Sequence, residues 1–410
     1  MNMLENTLSL PSAAAGPVPR NAAALLKLLT KIRHGRLDLR LPDGAYLCFG
    51  ETAIGPHAQM QVDSWQVFDE VLARGDIGLA EAYIDGAWHS PDLAALLLLL
   101  TANREVLARA VYGQWWRLLA ARLRHLVHRN SRAGSRRNII AHYDLGNAFY
   151  GEWLDETMSY SSALYGDDAG ITLEDAQLAK YRRILQRLDA KPGQRILEIG
   201  CGWGGFAEVA AREAGVEVLG VTLSPSQLAF AQERMRRAGL DRQVTLELRD
   251  YRDLGDQRFD HIVSIEMFEA VGERWWPTYF AALKRLLKPG GRALVQSITI
   301  RDDLFARYRR GTDFIQQHVF PGGMLPSPQA FAAQAQRAGL ELADSFAFGP
   351  DYARTLAAWA ATVEQRWPEI AAQGFDERFH RLWRFYLAYC EAGFDSGCTD
   401  VMQFELRHQP

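Results

Sequence analysis

Arg195-Ile-Leu-Glu-Ile-Gly-Cys-Gly-Trp-Gly-Gly205 is a short apolar run that breaks into four glycines and then gives way to the helix-like stretch Phe206–Glu213. Glycine lets a chain turn tightly at the end of a strand and lets a ligand approach the backbone closely. The same texture recurs downstream. Val216–Val221, Val244–Leu248, His261–Ile265 and Arg292–Val295 are apolar runs of strand length, and Ser226–Ala238 and Trp276–Leu287 between them read as helices. Strand–helix alternation of this kind predicts parallel βαβ units and an α/β, doubly wound, Rossmann-like sheet.

The turn itself narrows the ligand. Its pattern is Glu198-x-Gly200-x-Gly202-x-Gly204, and no Lys-Ser/Thr pair follows, which excludes a phosphate-cradling P-loop. An acid in the turn repels a pyrophosphate and suits an ammonium or sulfonium group, which favours S-adenosylmethionine over NAD. After the second strand, where a dinucleotide fold usually carries a ribose-binding acid, the chain has Thr222-Leu-Ser-Pro-Ser-Gln227. These residues can hydrogen-bond a nucleoside but offer no charge. Asp250-Tyr-Arg252, after the third strand, suits adenine by hydrogen bonding and stacking; the alternative for Tyr251 is a half-buried structural aromatic.

Outward from this core the composition is that of a globular chain: 410 residues, 48% hydrophobic and 23% charged, which excludes disordered and collagen-like classes. The formal net charge of −3 hides an asymmetry, because residues 1–137 carry 16 Lys and Arg against 12 Asp and Glu, and residues 138–410 carry 30 against 37. The basic excess culminates in residues 117–137, with seven arginines, two histidines and no acid, next to Trp115 and Trp116. A solvated helix end is one reading. The other is a patch for anionic lipid headgroups, flanked by residues that favour a membrane interface. No nucleic-acid module accompanies the patch. Leu37–Leu41 and Tyr46–Phe49 around Pro42-Asp-Gly44 read as a hairpin, and Ser64–Arg74 and Pro91–His128 as helices. Leu93–Ala102 is about half the ~20 residues of a membrane span and reads as buried helix core, with membrane insertion the alternative. Four cysteines make neither a disulfide framework nor a metal spacing. The N-terminus lacks a signal-peptide pattern, so a reduced, cytoplasmic protein is expected.

Taken in order, His142–Asn147, Met158–Ala163, Glu198–Gly204, Thr222–Gln227, Phe268–Gly272, Phe320–Pro326, Tyr352–Thr355 and Tyr389-Cys390 resemble the cyclopropane-fatty-acyl-phospholipid synthases and mycolic acid methyltransferases. The resemblance implies a class I methyltransferase sheet with a helical cover over an acyl channel, for which 301–328 is the candidate. It implies a smaller α+β accessory domain at 21–136 after a tail at 1–20, and a catalytic domain at 137–410. The implied reaction moves a methylene or methyl carbon from S-adenosylmethionine to the cis double bond of an unsaturated phospholipid. The enzyme would sit peripherally on the inner face of an anionic bilayer, with a homodimer left open.

The same resemblance assigns the cofactor to Tyr160, Ser161, Glu198, Gly200, Cys201, Gly202, Trp203, Gly204, Thr222, Leu223, Gln227, Tyr251 and Arg252. It assigns a bicarbonate base to Glu269, Tyr352 and backbone near Ser162 and Ile298, and it places Cys390 in the active site. Three positions depart from the family pattern. Gln296 stands where a bicarbonate-binding His is found, Ser162 where a Cys is found, and Ala270 where a His often follows the Glu. Gln carries no positive charge and cannot titrate, so bicarbonate is expected to bind more weakly or Glu269 to act as the base itself. A methyl- or methylene-branched product is the alternative to a cyclopropane.

Overall fold

The computed structural model describes residues 18–51, 55–111, 145–167 and 170–408, and the chain divides into two units, Met1–Arg117 and Leu118–Pro410. The Arg-rich run 117–137, Trp115, Trp116 and the start of the His142 motif lie outside the described residues.

In the first unit, α1 (Arg20–Leu29) precedes β1 (Arg36–Arg40), β2 (Tyr46–Gly50) and β3 (His57–Val62). Then come α2 (Gln66–Arg74), α3 (Asp76–Ile84), β4 (Trp88–His89), α4 (Leu93–Ala102) and α5 (Arg104–Val111). The expected hairpin is β1–β2, antiparallel, in a sheet of order β2-β1-β3-β4. The leucine run forms α4, capped by Asp92, which accepts the Ala95 N–H at 2.9 Å, and Leu93, Leu96, Leu97 and Leu99 are buried. The long helix expected over 91–128 is interrupted at Asn103. Its side chain accepts the backbone N–H groups of Arg33 and His34 and donates to His34 O and Leu99 O. Satisfying those buried polar groups wins over continuing one helix. No helix among the described residues is long and apolar enough to cross a membrane.

The second unit runs α6 (Asn147–Gly151), α7 (Leu173–Leu188), β5 (Arg195–Ile199), α8 (Gly205–Ala214), β6 (Glu217–Thr222), α9 (Pro225–Ala238), β7 (Val244–Leu248), β8 (Phe259–Ile265), α10 (Trp276–Leu286), β9 (Leu287–Ile300), α11 (Asp302–Tyr308), α12 (Pro328–Arg337), β10 (Leu340–Ala347), α13 (Gly349–Gln365), α14 (Trp367–Ala372), α15 (Glu377–Asp395) and β11 (Thr399–His408). The strands form one sheet of order β10-β11-β9-β8-β5-β6-β7. β7, β6, β5, β8 and β9 are parallel, and β11 is antiparallel to both β9 and β10. All five expected strands are present, and the fold is the α/β class I methyltransferase fold. β10 and β11 were not expected. Met402–Arg407 of β11 alternates apolar and polar residues, but its polar face, Gln403 and Glu405, is buried rather than solvated.

Successive strand residues feed opposite faces of the sheet. Ile196, Val218 and Val263 pack under α7, α8 and α9, while Leu197, Leu219 and Ile262 pack under α10 and α12. This is the three-layer arrangement that βαβ crossovers impose. It places the carboxyl ends of β5, β6, β7 and β8 along one edge, where open α/β sheets bind ligands.

Two glycines of the opening motif have steric reasons. Gly200 has φ +85°, and a Cβ there would sit 3.0 Å from Met267 Cγ. A Cβ on Gly205, the first residue of α8, would sit 2.9 Å from Thr157 O and 3.0 Å from the Tyr181 hydroxyl. Gly205→Ala is therefore expected to push α8 off the 157–159 segment and destabilise the unit by about 1–3 kcal/mol, read as a lower denaturant midpoint with an unchanged m-value.

Candidate active site

A cavity opens at the carboxyl edge of β5, β6 and β8. Gly200, Gly202, Thr222, Leu223, Gln227, Tyr251 and Arg252 line it, with Glu266, Met267 and Ala270 along its inner wall. Ser224 caps α9 by accepting the Gln227 N–H and donates its own N–H to Thr222 Oγ1, which sets the Thr222–Gln227 corner. Tyr251 meets Tyr279 edge-on at 5.7 Å. Arg252 is not a free cation, because it forms a bidentate pair with Asp250.

The other expected cofactor residues act from behind this surface. Glu198 is buried in β5, where desolvation pushes its carboxyl well above the usual range against the pull of Lys180, and its Oε2 has no hydrogen-bond partner among the described residues. Cys201 packs into the core beneath α8, so only its backbone can face a ligand. Trp203 turns away to donate to Asn147 Oδ1 at 2.8 Å and packs against Tyr150; its role is to hold α6. Gly204, at φ +83°, passes close to Ala231. Ser161 accepts a hydrogen bond from Lys180 Nζ at 2.6 Å. Tyr160 shares a hydrogen bond with the Tyr386 hydroxyl at 2.8 Å, its ring 5.5 Å from Trp359. A glycine turn open to the cavity, a buried acid with a spare oxygen and uncharged hydrogen-bonding groups at the second strand fit an S-adenosyl group.

Next to this cavity three donors converge on one carboxylate, and it is Glu266. Its Oε1 accepts the Ser162 N–H at 2.9 Å and the Gln296 amide at 2.8 Å, and its Oε2 accepts the Tyr352 hydroxyl at 2.7 Å. Sequence analysis grouped Tyr352, Gln296 and Ser162 around Glu269; in the structure all three meet Glu266. The missed signal is an acid at the end of a central strand. Glu266 also has φ +48°, a left-handed conformation that costs a non-glycine residue energy and clusters at functional sites. Ser162 contributes only its backbone, since its hydroxyl donates to Ala163 O, so the exchange of Cys for Ser leaves this contact intact. The groups that the resemblance assigns to bicarbonate are therefore already engaged by side-chain carboxylates, and the residues present do not fit that ion.

Glu269 sits one turn later, in the 3-10 turn Phe268–Ala270. Phe268 anchors the turn among Trp276, Tyr279, Phe280 and Phe331, and Met324 N–H donates to Glu269 O. Its Oε1 accepts from Ile298 N–H and from Ser297 Oγ, and its Oε2 has no hydrogen-bond partner among the described residues. Burial, and then the neighbouring Glu266, push its carboxyl up to about 8. Burial also raises Glu266, while the Tyr352 hydrogen bond, the Lys180 charge, Gln296 and Ser162 oppose the rise. The three donors favour the charged form of Glu266, and burial beside Glu266 favours the protonated form of Glu269.

Tyr352 stacks on Phe394 at 4.4 Å. Cys390 lies on α15 one turn after Tyr386, and burial pushes its thiol up. Burial thus favours its protonated form beside Tyr352 and Tyr386. The segment expected to cover the site does pack there: Phe314 meets Phe385 of α15, and Phe320 lies against Tyr160 and Tyr386.

Comparison with known proteins agrees with this geometry. Residues 130–404 match the family model described as mycolic acid cyclopropane synthetase. The chain is 38% identical over 406 residues to the tuberculostearic acid methyltransferase UfaA1 of Mycobacterium tuberculosis, covering 95% of this chain and 92% of that protein. It is 41% identical over 341 residues to the cyclopropane-fatty-acyl-phospholipid synthase of Escherichia coli K12, covering 82% and 84%. The structure of the mycolic acid cyclopropane synthase CmaA1 complexed with SAH and CTAB superposes with a TM-score of 0.62 at 32% identity, covering 66% of this chain and 98% of that one. The chain thus belongs to the mycolic acid cyclopropane synthetase family of S-adenosylmethionine-dependent methyltransferases.

Proposed function

We propose that the chain adds a one-carbon unit to the cis double bond of an unsaturated phospholipid acyl chain and that Glu266 is the base that removes the surplus proton. The observation that carries this reading is the convergence of Ser162, Gln296 and Tyr352 on Glu266, at the wall of the nucleoside cavity. When bound, S-adenosylmethionine supplies an electrophilic sulfonium methyl. The alkene π pair forms the new C–C bond as the C–S bond breaks with its electrons staying on sulfur, which leaves a cation on the neighbouring acyl carbon. Glu266, ionised, faces that charge, and the rings of Tyr160 and Trp359 present π faces beside it. A proton then passes from the added methyl to the Glu266 carboxylate, and the freed C–H pair closes the ring. Glu269 stays protonated and so does not add a second charge.

A second reading is a 1,2-hydride shift that moves the cation onto the methyl-bearing carbon, followed by loss of a proton from that methyl, whose C–H pair becomes the double bond of a methylene branch. It is favoured by the name of the 38% identical relative, a tuberculostearic acid methyltransferase. Residues 117–137, with seven arginines and no acid, support approach to an anionic bilayer.

The test is incubation of the protein with S-adenosylmethionine and vesicles of unsaturated phosphatidylglycerol, followed by mass spectrometry of the acyl chains. A gain of one CH2 with no alkene left marks a cyclopropane, and the same gain with an alkene marks a branch; no gain on any unsaturated lipid removes the proposal. Glu266→Gln should lower kcat by at least about 100-fold, the low end of general-base contributions, with the dissociation constant for S-adenosylhomocysteine little changed. Because Glu266 already takes the donors, turnover in bicarbonate-free buffer should equal that in bicarbonate; a bicarbonate requirement would contradict the assignment.

Glu269 gives a pH test. A carboxyl raised in the folded state binds its proton more tightly there than in the unfolded chain. Its favourable contribution is complete below the unfolded value, declines as pH rises, and is exhausted above the folded value of about 8. Glu269→Gln removes the ionisation, so its melting temperature should gain on the wild type between pH 5 and pH 8.5. A constant difference across that range would show that Glu269 has an ordinary affinity for its proton.

A further inference from the structure

The donors on Glu266 are themselves held from behind, and one is held by groups that the reaction above does not use. Gln296 of β9 and Gln403 of β11 are register partners across the antiparallel pair, and both are buried. Gln403 Nε2 donates to Gln296 Oε1 at 3.0 Å, and Gln296 Nε2 donates to Glu266 Oε1 at 2.8 Å. At the far end Arg183 of α7 donates through Nη1 to Gln403 Oε1, with its guanidinium 4.0 Å above the Phe346 ring.

The ends dictate the direction of this chain. Arg183 can only donate, and an ionised Glu266 can only accept. Both amides must therefore point their oxygens toward Arg183 and their N–H groups toward Glu266. Hydrogen bonds aligned in one direction polarise and strengthen one another in a buried setting. Without Gln403 the buried Gln296 oxygen loses its donor, and the Glu266 carboxylate alone is left to orient the amide.

We propose that Gln403 and Arg183 are positioning residues for the methyltransferase reaction. Through Gln296 they keep Glu266 aimed at the site and in its basic form. The proposal rests on the reading of Glu266 as the base. Other groups act on Glu266 from Lys180 of α7, from Glu269 in the 268–270 turn and from Tyr352 of α13, and Glu198 of β5 faces the same Lys180. Arg183 has Arg187, Asp344 and Glu405 as charged neighbours. All of these stay in place when Gln403 or Arg183 is replaced.

The experiment measures kcat against pH for the full chain on phosphatidylglycerol vesicles, with the dissociation constant for S-adenosylhomocysteine and the melting temperature in parallel. Loss of the buried Gln403–Gln296 hydrogen bond behind the Glu266 donor predicts a drop in kcat of a few-fold to about tenfold for Gln403→Leu. Its acid limb should move to higher pH, because Glu266 loses support for its ionised form, while cofactor affinity holds. Arg183→Met should move both quantities in the same direction by less, and Arg183→Lys, which keeps a cationic donor, should recover most of that loss. A purely structural role would lower the melting temperature without moving the acid limb.

A folded Gln403→Leu protein with wild-type kcat and acid limb overturns the proposal. If that variant does not fold, Arg183→Met, altered at the half-exposed end of the chain, decides on the same readout. Glu266→Gln run alongside separates the two levels. An inactive Glu266→Gln with unaltered Gln403→Leu and Arg183→Met removes only the positioning role, whereas wild-type turnover in Glu266→Gln removes the base assignment and the positioning role with it.

Discussion

Glu266 and Glu269 bring two carboxyl groups side by side at a cavity wall, and like charges with little solvent around them cannot both persist without compensation. Much of the surrounding architecture can be understood as a solution to that constraint. Three donors are directed at Glu266. Glu269 keeps two donors on one oxygen and holds its proton up to about 8. Lys180, completely buried, supplies the positive charge that Glu266 and Glu198 both feel. Burial lowers its own affinity for a proton to about 8, so its charge is maintained by the acids around it as much as it maintains theirs.

The fold delivers each member of this set from a different element. β8 ends at Glu266, β9 carries Gln296 and Ile298, α13 brings Tyr352, and the loop after α6 presents the Ser162 N–H. That loop is fixed by α7 and α13. Gln177 donates to Ser161 O, Lys180 donates to Ser161 Oγ, and Thr355 Oγ1 accepts the Ala163 N–H. Tyr165 and Gly166 N–H groups meet Asp351. Backbone hydrogen bonds and buried side-chain anchors hold a segment that would otherwise be an irregular loop, and that is what allows one of its N–H groups to serve as a fixed donor.

The glycine-turn side of the cavity was largely legible in the chain. Its residues lie in βα turns, where neighbours in sequence are neighbours in space, so Gly200, Thr222, Gln227 and Tyr251 could be placed from strand–turn–helix spacing. Trp203 and Cys201 stand in the same turn, yet their side chains point into packing. Turn spacing identifies the backbone that approaches a ligand, but rotamer and helix contacts decide where the side chains go. β10 and β11 escaped although Met402–Arg407 alternates apolar and polar residues: they lie beyond the regular strand–helix series, separated by the helices of 349–395, and β11 runs antiparallel to both neighbours.

The sequence by itself determined the doubly wound sheet, the glycine turn and an uncharged second-strand corner, because each depends on local spacing and local conformational preference. Only the tertiary structure decided which acid is the candidate base. Ser162, Glu266, Gln296 and Tyr352 are scattered along the chain, and their meeting depends on strand order, on the register of β9 against β8 and β11, and on the packing of α13. Glu266 and Glu269 are three residues apart and chemically identical. The difference between a carboxylate held ionised by three donors and a carboxyl left holding a proton lies in the groups that folding brings to each.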